Sequence, residues 1–291
     1  MLPPTPFWLK TKSKSDCKIR VTSKKLKFFE VLYNESQASD LALEKKMAES
    51  FKTEIFKLDR KNISITTSAT ESLPLVLVNT FAHEADSLWK ECAALDCPSF
   101  TLACISGMDW NADLSPWEIP PLRKNDPPFS GKADSYLVFI VSQALPAILQ
   151  KLSPPPYIAL AGYSLAGLFA LYAAHKTKAF SRFVAASPSA WFPRFVDFAK
   201  TTPFATKPDS IYLSLGDIES KTKNPLLATV QNNAESLADF YKTQGIKTIF
   251  ELNKGNHFAD NQARLAKGIK WILGTDYFPR PYTLSPTSKH P

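Results

Sequence analysis

From residue 62 onward, short apolar runs alternate with amphipathic stretches. Asn62-Ile-Ser-Ile-Thr-Thr67 alternates apolar and polar positions, as a half-buried strand does. Leu73-Pro-Leu-Val-Leu-Val-Asn79 and Ser99-Phe-Thr-Leu-Ala-Cys-Ile-Ser106 are nearly unbroken apolar runs, which predict strands buried on both faces. A helix is predicted between them, over about 84–94. Residues 107–132 are irregular, rich in proline and tryptophan, and too long for a passive connection. A helix over 133–150 follows, with Pro146 as its kink. Further strands are predicted at 157–161, 179–187, 209–215 and 246–252, with helices at 165–174, 225–244 and 259–273 between and after them. Strands alternating with helices imply a mostly parallel sheet covered on both faces, an α/β fold. Upstream the pattern is weaker: Lys27–Tyr33 reads as a strand, and Asp40 as the cap of a helix running to about Leu58.

In such sheets, sites gather at the carboxyl ends of the strands. Three chemically capable residues lie there. Tyr157-Ile-Ala-Leu-Ala-Gly162-Tyr-Ser164-Leu-Ala166 reads as a buried strand, a sharp turn at Ser164, and the start of a helix apolar on most sides. That context makes Gly162-x-Ser164-x-Ala166 a candidate nucleophile elbow, which needs small residues two before and two after the serine. Glu219 follows the strand that ends at Leu215, and His257 follows the last strand, after Gly255. Asp217 competes with Glu219 for the role of acid; the spacing Gly216-x-x-Glu219 puts Glu219 ahead. The order serine, acid, histidine is that of the α/β-hydrolase fold. Of the other histidines, His175 sits too far along the helix after Ser164 and is expected to be solvated or to cap that helix. His83 borders the region from the Asn79 strand, and His290 is in the tail. The expected oxyanion donors are the backbone N–H of Leu165 and a second one near Thr80 or Phe81, with Thr80 chosen. The Met108–Phe129 stretch leaves the same sheet edge, so Trp110 and Trp117, with Trp191, are expected to line the substrate pocket.

Composition narrows the possibilities further. At 291 residues and 44% hydrophobic, the chain supports one large domain. The formal charge is +8, and residues 1–30 carry eight Lys/Arg against Asp16 and Glu30. This basic segment reads as a solvated arm and not as a nucleic-acid surface, since it lacks interleaved stacking aromatics. No apolar run is long enough for a membrane span, and the N-terminus does not read as a signal peptide. Cys17, Cys92, Cys97 and Cys104 lack metal-like spacing and read as reduced thiols of a cytoplasmic protein. No metal and no cofactor are expected.

Four blocks carry a resemblance: Gly162-Tyr-Ser-Leu-Ala-Gly-Leu-Phe-Ala-Leu171, Ser187-Pro-Ser-Ala-Trp-Phe192, Leu213-Ser-Leu-Gly-Asp-Ile-Glu219 and Gly255-Asn-His-Phe258. With them the chain resembles the putative esterase family of α/β-hydrolases, which includes esterase D and the enterochelin (siderophore) esterases. The resemblance implies cofactor-free serine hydrolysis of a small-molecule carboxylic ester, with Ser164 as nucleophile and His257 as base. Two departures stand out. Ala166 replaces the usual glycine, and Asn79-Thr80-Phe81 stands where many relatives have a glycine-bearing oxyanion loop. An acyltransferase using the same triad, or a catalytically silent binding protein, are the rival readings. The expected organisation is a basic extension over 1–60, a hydrolase domain over 61–275 and a tail over 276–291.

Overall fold

The computed structural model describes residues 51–68, 71–81 and 84–274. The expectations for the basic arm, Lys27–Tyr33, Cys17, His83, His290 and the tail lie outside these residues.

The first strands form a hairpin, β1 Lys52–Leu58 and β2 Lys61–Thr67. Asp59 and Arg60 both take positive φ, 44° and 63°, as a two-residue hairpin turn whose twist matches its strands requires. The helix expected to reach about Leu58 is therefore corrected. Lys52-Thr-Glu-Ile-Phe-Lys-Leu58 turns Glu54, Phe56 and Leu58 to one side and leaves the alternate residues exposed, a period-two pattern. β1 thus lies inside the segment assigned to the N-terminal extension.

Next come β3 Leu75–Asn79, α1 Ala85–Ala94 and β4 Thr101–Ser106. The irregular stretch holds one helical turn, α2 Trp110–Asp113, and two short paired strands, β5 Glu118–Ile119 and β6 Phe129–Ser130. The kinked helix is α3 Ala133–Phe139, a π-helical stretch Ile140–Ala144 and α4 Leu145–Leu149. Pro146 lies in the first turn of α4, directly after the π-helical stretch, which accommodates its missing N–H. After these come β7 Ile158–Tyr163, α5 Leu165–Lys176, β8 Arg182–Ala186, α6 Phe195–Thr201, β9 Ser210–Gly216, α7 Val230–Thr243, β10 Lys247–Asn253 and α8 Asn261–Leu273.

Among the described residues, eight strands make one sheet in the order β1-β2-β4-β3-β7-β8-β9-β10. β2 runs antiparallel to β1 and β4, and the remaining pairs are parallel. Alternate residues of the central strands feed two cores. Leu75, Leu77, Leu160, Phe183 and Leu213 join the core with α3, α4, α5, α6 and α7. Val76, Val78, Ala161, Val184 and Tyr212 join the core with α1 and α8. This double burial explains why the central strands read as continuous apolar runs. The order reverses between β3 and β7, so a crevice opens at their carboxyl ends, next to Asn79 and Ser164.

Candidate active site

Ser164 links β7 to α5 at φ 58° and ψ −122°. A non-glycine residue rarely adopts that conformation, and one held there stores strain. The packing around it leaves no alternative. A Cβ on Gly162 would lie 2.3 Å from the backbone of Ala166 and 2.8 Å from its methyl group. Glycine is therefore required at 162, while at 166 a methyl group fits. Ser164 N donates to Ala186 O at 3.1 Å, and Ser189 N donates to Ser164 O at 3.0 Å. The turn is thus stitched to the Ser187–Phe192 loop. Residues Leu165 to His175 of α5 are all buried, so the helix cannot roll.

The Ser164 hydroxyl lies 2.9 Å from His257 Nε2. His257 Nδ1 lies 2.7 Å from Glu219 Oε2. These two contacts join the carboxyl ends of β7, β9 and β10. Gly255, at φ 107°, turns the chain that carries the histidine. Tyr163 donates its hydroxyl to His257 O at 2.6 Å, which fixes the histidine's backbone.

Asp217 does not face the imidazole. Its Oδ1 accepts from Gly255 N at 2.8 Å, and its own N–H donates to Asn253 O at 2.8 Å. It braces the β9 and β10 loops against each other. Glu219 turns the other way, and its side chain is 3% exposed. Its Oε1 accepts from Gly216 N at 2.6 Å, Ser187 Oγ at 2.8 Å and Arg264 Nη1 at 3.0 Å. Burial raises the affinity of this carboxyl for a proton. The hydrogen bond and charge of His257, the Gly216 N–H and the Ser187 hydroxyl outweigh burial and hold it below its ordinary value.

Ser164 and His257 line a cavity of about 620 Å³ whose walls include Phe81, Trp110, Leu122, Trp191 and Phe258. Phe81 and Trp110 stack with ring centres 4.0 Å apart. Trp117 is not on this wall. It packs on Phe192 and Phe198, each at 5.8 Å, and donates its indole N–H to Pro193 O at 3.1 Å. Its expected place in the pocket is corrected, because an aromatic cluster beneath the loop claims the ring.

The expectation for Thr80 is corrected as well. Its N–H donates to Ile105 O at 3.0 Å, extending the sheet ladder, so it has no proton to offer an oxyanion. The neighbouring Phe81 N–H donates to Glu84 Oε2 at 3.0 Å. Burial pushes the Glu84 carboxyl above its ordinary value, against lowering by Phe81 N–H and Gln262. Leu165 opens α5, where an N–H has no intrahelical acceptor. His175 is buried, not solvated. It stacks on Phe204 at 4.4 Å, bonds Thr202 O through Nδ1, and is pushed below its ordinary pKa by burial.

Sequence reading missed Arg264, Ser187, Tyr163 and Ser189 as members of this cluster. Arg264 left a signal. It falls on the apolar face of α8 with Leu265, Gly268, Ile269 and Ile272, where a charge needs a buried partner. Among the described residues, no group of three or more His, Cys, Asp or Glu could hold a metal ion, and no helix is long and apolar enough to cross a membrane.

The sheet order and the helices on both faces define an α/β-hydrolase fold. The family model described as putative esterase matches residues 84–272, and the chain belongs to that family. It is a carboxylic ester hydrolase by that membership. No match is found among curated protein sequences. Among solved structures, an IroE-like serine hydrolase from Shewanella oneidensis is similar at 17% identity and TM-score 0.62, over 77% of this chain and 80% of that one. The siderophore hydrolase EstA from Aspergillus nidulans is similar at 19% and 0.59, over 77% and 94%. The enterochelin esterase from Shigella flexneri is similar at 18% and 0.59, over 77% and 58%.

Proposed function

We propose that the chain hydrolyses carboxylic esters through an acyl-enzyme on Ser164, with His257 as general base and Glu219 as the acid that orients it. The observation that carries this reading is the unbroken relay from Ser164 Oγ through both ring nitrogens of His257 to Glu219 Oε2. His257 takes the serine proton as Oγ attacks the ester carbonyl, then gives it to the leaving alcohol. Water, deprotonated by the same imidazole, releases the acid. Glu219 holds Nδ1 protonated and stabilises the imidazolium.

The Leu165 N–H supplies one oxyanion donor. The second is the Phe81 N–H, which the developing oxyanion takes over from Glu84 as both line the cavity. The cavity volume and aromatic wall fit a bulky ester, as do relatives named for siderophores. Among the described residues, the hydrolase domain takes in β1 through α8. Its described cysteines are free, which suits a reducing, cytoplasmic setting.

The test is covalent labelling with a fluorophosphonate probe. The adduct is expected on Ser164, to be lost in His257→Ala, and to be competed by ester substrate. An adduct on another residue, or none, refutes the reading. Product analysis with added alcohols then separates hydrolysis from acyl transfer.

The pocket assignment makes its own prediction. Trp110→Ala and Trp191→Ala are expected to raise KM several-fold for bulky esters and little for acetate esters. Trp117→Ala should instead destabilise the fold by about 2–3 kcal/mol, below the cost for a fully buried tryptophan, and affect both ester classes alike. Melting temperatures and KM measured on paired substrates check both statements.

A further inference from the structure

The arginine beneath the triad has no part in the chemistry just described, yet both of its terminal nitrogens bond that machinery or the loop that carries its histidine. Arg264 is 1% exposed and sits on α8. Its Nη1 reaches Glu219 Oε1 at 3.0 Å, Ser187 Oγ at 3.2 Å and Tyr163 OH at 3.3 Å. Nη2 donates to Lys254 O at 3.0 Å, three residues before His257. A guanidinium cannot shed its charge, so burial must be balanced by an anion. Among the described residues Glu219 is the one carboxylate it bonds.

We propose that Arg264 is a positioning residue: it clamps Glu219 in one orientation and ties it to the loop that carries His257. This inference rests on the triad reading above. The orientation follows from the donor count. Oε1 is committed to three donors, so Oε2 alone faces the imidazole. The tie to the histidine is double, through Lys254 O and through Tyr163, whose hydroxyl holds His257 O. One cation thereby sets the separation of acid and base.

The charge has a consequence for pH dependence. The titratable groups that face Glu219 are Tyr163 from β7, His257 from the β10 loop and Arg264 from α8. Arg264 and His257 are the bases that touch it. Without Arg264, burial acts on Glu219 with less opposition, and the carboxyl takes up a proton at higher pH. The acid limb reports proton uptake by the Ser164–His257–Glu219 relay as a unit, and loss of a neighbouring cation favours that uptake. The sign is fixed: removing the cation moves the acid limb of kcat/KM upward.

The experiment compares pH profiles of wild type, Arg264→Met and Arg264→Lys on a small aryl ester, with turnover normalised to sites labelled by fluorophosphonate. Arg264→Met is expected to move the acid limb up by about one pH unit or more, with KM changed little. Arg264→Lys, which keeps the charge, should bring the limb back toward wild type. A limb unmoved in Arg264→Met, or moved equally far by Arg264→Lys, overturns the proposal. Where Arg264→Met yields too little folded protein, Arg264→Met combined with Glu219→Gln is expected to recover folding, because neither buried charge is left alone. A double variant no better folded than the single overturns the clamp. Wild-type labelling keeps the two readings apart. Failure to label Ser164 defeats the triad, whereas labelled Ser164 with an unmoved limb defeats the clamp alone.

Discussion

Ser164→Ala is expected to lower kcat on an activated aryl ester by at least ~10⁴-fold and leave the fold intact. The Oγ is the atom placed against the His257 base, at 2.9 Å. A neighbouring hydroxyl, Ser189 Oγ, lies 3.5 Å from Ser164 Oγ. It cannot inherit the attack without moving a loop pinned by the Ser189 N–H. Residual turnover should reflect only the oxyanion donors and substrate binding, which typically leave about 10³–10⁴-fold over water. His257→Ala should lose about as much, and the double variant no more, because the two groups act as a unit. Near-wild-type turnover in Ser164→Ala would remove the nucleophile from Ser164.

The strain at Ser164 predicts a companion effect on stability. Alanine at φ 58° inherits the same strain as serine, so Ser164→Ala should melt close to wild type. Glycine adopts this conformation freely. Relief of a strain of about 1–3 kcal/mol outweighs the added chain entropy of glycine, roughly 0.5–1 kcal/mol. Ser164→Gly should therefore melt above Ser164→Ala. Such an order would mark the elbow as a place where stability is given up to present the hydroxyl.

The sheet was legible because its central strands are buried on both faces, and their continuous apolar runs sit between breakers and amphipathic helices. β1 was not legible. Lys, Glu and Phe in Lys52–Leu58 suit a helix as well as an edge strand, and the pairing with β2 that decides between them is tertiary. The serine and histidine stood out because each follows a strand end next to a small residue that the turn requires. Trp117 misled because a tryptophan in a long loop has the same sequence signature whether it faces a cavity or plugs the loop to the core. Only the position of Phe192 and Phe198 separates those cases. Thr80 misled in another way. Its side chain says nothing about its N–H, which the end of β4 claims through Ile105 O. The backbone acceptor is set by where one strand outlasts its neighbour, which depends on register.

The remaining large effect concerns the acid, and the hydrogen bonds around Glu219 make its direction specific. Glu219→Gln is expected to lower kcat by about 10³–10⁴-fold with KM nearly unchanged. Three donors converge on the Oε1 position: Gly216 N–H, Ser187 Oγ–H and Arg264 Nη1–H. A glutamine must place its carbonyl oxygen there, since an amide NH₂ would meet three donors with a fourth. The NH₂ is then forced toward His257 Nδ1. An imidazole that accepts at Nδ1 carries its proton at Nε2, and Nε2 faces Ser164 Oγ. The base is held in the tautomer that cannot take the serine proton. Asp217→Asn should behave differently. Asparagine keeps the carbonyl oxygen that Gly255 N–H needs, and the residue is exposed, so kcat should fall less than about tenfold. Steady-state kinetics on both variants, with melting temperatures to confirm folding, decide the matter. A large loss in Asp217→Asn beside a small one in Glu219→Gln would transfer the acid's role to Asp217, and with it the orientation of the whole relay.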